Sequence, residues 1–230
     1  MKKIRIHGEC VYIFASLLLA LAVAMMSAAD FGISMVVAPS YLISLKTGFL
    51  TFGQAEYAVQ VVLFIIFCIC MKGFKPIYLC AFCTCLIYGA LLDLWRLLPL
   101  FNPSVTPPGS MALPLRAVLF VLGMIFTSMA VAAYFKTYLY PQVNDFFVKE
   151  VSRKYKIKLA VFKTAFDIGF LVLSAILTFA FFGKICGINF GTVIMAAVSG
   201  TLVGFFDKLY DRMFEVVPFF PAAAKRFSVD

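Results

Sequence analysis

The stretch Pro99-Leu100-Phe101-Asn102-Pro103-Ser104-Val105-Thr106-Pro107-Pro108-Gly109 holds four of the ten prolines in the chain. Proline fixes φ and removes a backbone donor, so no regular helix or strand crosses this segment. Three apolar runs precede it, at about 11–29, 55–71 and 76–95, and three follow, at about 112–135, 158–182 and 186–206. The linker therefore cuts six candidate spans into three and three.

Composition fixes the class of those runs. Apolar residues make up 63 % of the 230 residues and charged residues 13 %, against about 45–50 % and about 25 % in soluble domains. Mean hydropathy is +1.01. A soluble globular domain and a disordered chain are both excluded. A span needs roughly 20 apolar residues, because about 30 Å of hydrocarbon is crossed at about 1.5 Å per residue. The chain has length for about six spans and little else. The net charge of +9 reads as loops facing anionic lipid rather than as a nucleic-acid surface. The run Val11–Ala29 follows a basic stretch, Met1–His7, and could pass for a signal peptide. It is long, ends at Asp30 and lacks a cleavage pattern, so it reads as the first span.

Basic residues set the expected orientation. With a cytoplasmic N-terminus, the inner segments carry Lys2, Lys3, Arg5, Lys72, Lys75, Lys136, Lys149, Arg153, Lys154, Lys156, Lys158, Lys208, Arg212, Lys225 and Arg226. The outer ones carry Lys46, Arg96, Arg116 and Lys184. Both termini are expected inside, in a bacterial plasma membrane.

The two halves share an order: one span, a semi-polar connector (30–54 and 136–157), then two spans joined by a short turn. Each connector holds a short helix candidate, near Val36–Lys46 and Phe146–Tyr155. Aligning the halves sets Thr47 against Tyr155, Glu56 against Lys163, Gln60 against Asp167 and Asp93 against Asp207. An odd number of spans per half inverts the second half relative to the first, and transporter sites often lie on the resulting pseudo-two-fold axis near the midplane. The expected fold is an all-α membrane protein of about six transmembrane helices in two inverted three-helix repeats, with short amphipathic or re-entrant connector helices. The units are residues 1–98, a linker 99–111, residues 112–207 and a cytoplasmic tail 208–230.

Polar residues inside the spans are the site candidates. Lys163 and Asp167 are spaced i, i+4, on one face of span five. Asp167 lies about nine residues in, near the bilayer centre, where a lone carboxylate costs roughly 2.5–3.5 kcal/mol. Glu56 and Gln60 have the same spacing on span two, and the two pairs could meet across the axis. Either they form a solute or proton site, or they form a buried ion pair that locks helices. In the connector, Asn144 or Asp145 is expected to cap the following helix. That helix either lies amphipathic on the inner leaflet or re-enters with its N-terminus in a cavity, where helix termini favour anions.

Seven cysteines, an odd number, read mostly as buried thiols. Cys68, Cys80 and Cys83 flank one turn and are a weak alternative for a soft metal; no metal or cofactor is otherwise expected. A single histidine, His7, sits in the basic N-terminal stretch and is given no role; it excludes a metal centre built on several histidines. Gly200 and Gly204 are spaced for close helix approach, and Asp93 and Asp207 read as solvated span ends.

Phe31-Gly32-Ile33-Ser34, Thr47-Gly48 with Phe52-Gly53, Asp145-Phe146-Phe147-Val148-Lys149-Glu150, Lys163…Asp167 and Phe181-Phe182-Gly183…Gly187-Ile188-Asn189-Phe190-Gly191-Thr192 resemble the YczE/YitT-like group of bacterial integral membrane proteins. The resemblance implies a multi-span fold with repeated halves and a charged pair in span five, which Lys163 and Asp167 match. Many YitT-type members carry a soluble domain after the last span; the short tail here resembles the YczE-like branch. Met35 stands where that group often has Pro, and Val37 where it often has Asp. The expected function is a small-solute transporter or exporter with a midplane site lined by Glu56, Gln60, Lys163, Asp167, Asn144 and Asp145. A non-transporting membrane scaffold is the alternative, and an intramembrane enzyme a weaker third. Expected partners are the bilayer and a small solute, with a second copy of the chain as a further candidate and no nucleic acid.

Overall fold

The computed structural model describes residues 3–184 and 187–219; Lys2, Lys225 and Arg226, used above for orientation, lie outside them. The described chain is helical apart from one pair of short strands. In order it runs β1 (Ile4–His7), α1 (Gly8–Ala29), α2 (Ala38–Thr47), α3 (Phe52–Met71), a 3-10 turn (Pro76–Tyr78), α4 (Leu79–Trp95), α5 (Leu113–Phe135), α6 (Val143–Lys154), α7 (Leu159–Phe182), α8 (Phe190–Met213) and β2 (Phe214–Val217).

Five helices are long and apolar enough to cross a membrane: α1, α3, α5, α7 and α8. The sixth, α4, is apolar but has 17 residues, or about 26 Å of helix. A 3-10 turn, Pro76–Tyr78, leads into it. α8 continues past the expected end of span six, to Met213, and the chain then enters β2 instead of a free tail.

The centre of the bundle is α1 against α5. Small residues line the contact, including Ala15 and Ala22 on α1 and Gly123 and Ala133 on α5, so the backbones come close. Gly123 is required there: a Cβ on it would lie 2.5 Å from Met26 Cγ and 3.0 Å from the Ala22 carbonyl oxygen. α4 packs on α1, and α8 packs on α5.

The two short helices cross over. α2, from the first half, packs on α7 as well as on α3; α6, from the second half, packs on α3 as well as on α7. The polar latches at their ends correspond. Lys46 Nζ at the end of α2 donates to the Phe181 carbonyl at the end of α7 (3.0 Å), and Lys154 Nζ at the end of α6 donates to the Cys70 carbonyl at the end of α3 (3.1 Å). Each lysine meets the negative end of a helix dipole.

β1 pairs in parallel with β2, in a register from Ile4↔Phe214 to His7↔Val217, closed by Arg5 Nε to Glu215 Oε2 at 3.1 Å. The two ends of the described chain therefore meet on one side of the bundle. Lys136, which ends α5 on the same side, pairs with Asp207 (2.6 Å) and Asp211 (2.9 Å).

Several expectations are corrected. Asp207 is ion-paired, and Asp93 is no bare span end: it accepts from Thr51 Oγ1 (2.5 Å) and from the Gly53 amide (2.9 Å), closing the N-terminus of α3 beside the Thr51–Gln54 capping box. Cβ atoms on Gly200 and Gly204 would meet nothing within 4 Å, so within the described chain these glycines bring no helix close. The close approach falls at Gly191, where a Cβ would strike the Phe31 carbonyl.

Candidate functional site

The sequence Gln142-Val143-Asn144-Asp145 opens α6, and the polar candidates gather on this turn. Residues 136–142 turn back into the bundle after α5. Thr84 Oγ1 on α4 donates to the Tyr140 carbonyl (2.9 Å), and α6 then starts beside the middle of α3. Its N-terminal amide, Val143 N, donates to Gln60 Oε1 at 3.1 Å. Its last residues reach Cys70 near the end of α3. α6 thus runs alongside the second half of α3, in the same direction.

Burial explains the placement. Val143, Phe146, Phe147 and Val151 are buried against Leu63, Phe67 and Tyr78, with Phe67 and Phe146 ring centroids 5.0 Å apart. A helix lying flat on a leaflet would turn this face to acyl chains rather than to α3. α6 is therefore seated in the bundle, with Lys149, Arg153 and Lys154 on its exposed side.

Neither Asn144 nor Asp145 caps α6. The N-cap is Gln142, and its side chain makes no capping bond. Gln60 on α3 does that work from outside the helix: it accepts from Val143 N and donates Nε2 to Gln142 Oε1 (3.1 Å) and to Glu56 Oε1 (2.8 Å). Glu56 and Gln60 are both 0 % exposed. Ser40 on α2 faces the Glu56 carboxyl, and the buried Tyr88 hydroxyl on α4 lies near enough to couple electrostatically to Glu56 and to Tyr134.

On the other side of the turn stands α7. Lys163 Nζ lies 3.0 Å from Asp167 Oδ1 and 3.6 Å from Asp145 Oδ1. The lysine side chain is 39 % exposed, and the Asp145 and Asp167 side chains 22 % and 21 %. The triplet is half-buried and turned toward α6. Asn144 is 5 % exposed.

All six candidates thus surround the first turn of α6, but the two pairs do not meet directly. Among the described residues no ion pair joins Glu56 to Lys163; the α6 turn stands between them, bonded to Gln60 on one side and to Lys163 on the other. Gln142, Ser40 and Tyr88 went unnoticed in the sequence. Gln142 had a signal, being a polar residue directly before an apolar helix, whereas nothing local marks a serine or a tyrosine as buried.

Five atoms of this neighbourhood are buried without a hydrogen-bond partner among the described residues: Glu56 Oε2, Asn144 Oδ1, Ser40 Oγ, Tyr88 OH and Gln142 Nε2. Most buried polar atoms in folded proteins are satisfied, so such a cluster calls for an explanation. The Glu56–Gln60 side of the centre is enclosed. A cleft of about 450 Å³ lined by Phe64, Cys68, Ile69 and Phe74 and another of about 310 Å³ lined by Cys10, Phe14, Tyr210 and Phe214 lie elsewhere and are apolar. Cys68, Cys80 and Cys83 form no metal-ligand group, and none of three or more His, Cys, Asp or Glu is found among the described residues.

A family model matches residues 6–208, nearly the whole described chain. The chain belongs to DUF6198, a family of unknown function. No curated protein and no solved structure matches. The family name carries no chemistry, so the functional argument rests on the polar centre.

Proposed function

We propose that this protein is a small-solute transporter or exporter, and not an enzyme, with its site at the first turn of α6. The observation that carries the reading is the group of unpartnered buried polar atoms around Glu56, beside a helix N-terminus that starts halfway along α3. Such half-length helices, ending in polar centres, are a recurring construction for solute sites. We further propose that the halves form an inverted repeat, with both termini on the cytoplasmic side of a bacterial plasma membrane. The exchange of α2 and α6 between halves and the matched Lys46 and Lys154 latches support the repeat. Resemblance to the YczE/YitT-like group belongs to the same proposal.

A thermal-shift screen of metabolites on the purified protein, with Asp167→Asn as control, tests the reading. A solute that stabilises the wild type and not the variant is expected. A second reading is favoured by one observation: Glu56 and Gln60 are wholly enclosed and Gln60 is fully bonded, as in a lock between helices. A non-transporting scaffold of that kind predicts no stabilising solute, and function retained in Lys163→Ala and Asp167→Ala.

A further inference from the structure

The charges around the α6 turn do not balance. Three carboxyl groups flank it, Glu56 on the α3 side and Asp145 and Asp167 on the α7 side, against one ammonium, Lys163, the sole cation in an ion pair there among the described residues. Lys163 is engaged by both aspartates. No Lys, Arg or His among the described residues comes within 4.0 Å of Glu56. Glu56 is 0 % exposed; one of its oxygens accepts a hydrogen bond from Gln60, and the other faces only the neutral Ser40 hydroxyl, outside good hydrogen-bond geometry. An ionised carboxylate taken out of water without a counter-charge costs several kcal/mol in real proteins. The positive end of the α6 dipole amounts to about half a charge, too little to neutralise the surplus.

The groups facing Glu56 come from every element packed on it: Ser40 from α2, Tyr88 and Cys85 from α4, and Gln60 on its own helix, with Gln142 and Asn144 one bond farther along α6. None supplies positive charge. Their unpartnered atoms are two acceptors, Glu56 Oε2 and Asn144 Oδ1, one obligate donor, Gln142 Nε2, and two hydroxyls, Ser40 and Tyr88, that donate or accept, with Ser40 turned to Glu56. That inventory fits a ligand that is positive and carries several N–H donors. It does not fit an anion, which the helix N-terminus alone would favour.

Resting on the transport reading above, we infer that the cargo is a small organic cation of the ammonium or guanidinium class and that Glu56 exchanges it for a proton. Without cargo, Glu56 holds a proton on Oε2, next to the Ser40 hydroxyl. When the cation enters, the Oε2–H bond breaks and the proton leaves to solvent. The carboxylate that remains pairs with an N–H of the ligand. Charge at the centre is unchanged, so the exchange proceeds without stranding a bare carboxylate in the bundle.

Proton release is the direct readout. Purified full-length protein in weakly buffered detergent, with a pH indicator, is mixed with methylammonium chloride or guanidinium chloride. Close to one proton per chain is expected, with sodium chloride and choline chloride releasing none. Glu56→Gln abolishes the release, and Glu56→Asp retains it with a shifted pH midpoint. Because Glu56→Gln can fail to fold, the wild type provides a second test. Dicyclohexylcarbodiimide, which reacts with protonated carboxyl groups in apolar surroundings, labels Glu56, and methylammonium or guanidinium protects it, as read by peptide mass. Equal release by sodium, release that survives in folded Glu56→Gln, or labelling that neither cation reduces overturns the proposal. A neutral or anionic metabolite that gives an Asp167-dependent thermal shift, while the cations release no proton, sinks the cation assignment and leaves transport standing. Absence of both responses sinks both.

Discussion

Replacing Gln60 by leucine removes the side chain that fixes the start of α6 while keeping an apolar side chain of similar size. Three hydrogen bonds go: to Glu56 Oε1, to Gln142 Oε1 and from Val143 N. Side-chain hydrogen bonds between membrane helices average about 0.6 kcal/mol in double-mutant cycles, because the unfolded chain in the membrane finds other partners. On that scale alone the loss is about 2 kcal/mol. The Val143 amide is different. It is the first amide of a helix, has no partner within that helix and is buried, so leaving it unpaired adds about 1–3 kcal/mol. The expected loss for Gln60→Leu is therefore about 3–5 kcal/mol by these two scales. Gln60→Glu keeps an acceptor for Val143 N but sets a second buried carboxyl against the Glu56 and Gln142 oxygens, so its loss is at least as large. Unfolding in mixed detergent–SDS titrations gives the free energies, and hydrogen exchange on a peptide spanning residues 143–150 reports whether α6 is the part released. A loss for Gln60→Leu within about 0.5 kcal/mol, the spread of an ordinary surface substitution, together with unchanged exchange in α6, would refute the claim that Gln60 holds the helix.

Three other perturbations follow from the geometry. Lys46→Met costs about 0.3–1 kcal/mol, the worth of a cation at a helix C-terminus, and Lys154→Met costs less, because Tyr155 OH also donates to the Cys70 carbonyl (3.0 Å); thermal unfolding in detergent ranks the two, and the reverse order contradicts the latch geometry. Gly53→Ala drives a Cβ into the Gly89 carbonyl and to 2.6 Å from Asp93 Oδ2, so a loss of about 1–3 kcal/mol from overpacking is expected, whereas Gly200→Ala meets nothing within 4 Å and is neutral or stabilising by up to about 1 kcal/mol on helix propensity; equal effects in the same unfolding assay defeat that contrast. Asp30, at the end of α1, has its carboxyl pushed above the usual 3.8 by burial, with Arg116 only partly opposing; the folded state then holds the proton longer than the unfolded one, so its contribution favours folding below pH 3.8 and is lost as pH rises through the raised value. The melting temperature of Asp30→Asn relative to wild type should rise across that window, and a flat difference removes the argument.

What the sequence made legible is what local spacing encodes. The i, i+4 pairs Glu56/Gln60 and Lys163/Asp167, the two connector helices within a few residues of their ends, and the helix-free stretch at Pro99–Gly109 all depend on residues close in the chain. What it hid depends on distance. No local signal says that α6 lies on α3 rather than only beside α7, because its apolar face at Phe146 and Phe147 suits any apolar partner. Asp93 reads as a span end until Thr51 and Gly53, some 40 residues earlier, are brought to it. The glycines show the same limit from the other side: Gly200 and Gly204 have the spacing for close approach, yet the contact is made at Gly191, where the Phe31 carbonyl happens to arrive. The four-residue strands at the two ends were too short to show a period at all.

The same contacts indicate which part of the bundle is free to move if the polar centre is to open. α3 is tied to α4 by the Gly53–Gly89 approach, by Asp93 and by Tyr57 OH on the Leu86 carbonyl (2.9 Å). α7 has no comparable packing on α8 among the described residues; it is held chiefly by α2 and α6, through the Lys46 latch at one end and Lys163 near the other. α3 and α7 therefore differ in how tightly they are held. Glu56 and Gln60 sit on the fixed side, and Lys163 and Asp167 on the looser one. Opening along α7 would break the Lys163–Asp145 contact, whose 3.6 Å separation is long for a strong ion pair, and would leave the Gln60–Val143 bond intact. The charge at Asp145 would then be exposed first and Glu56 last, the order that the proposed exchange of a cation for a proton requires.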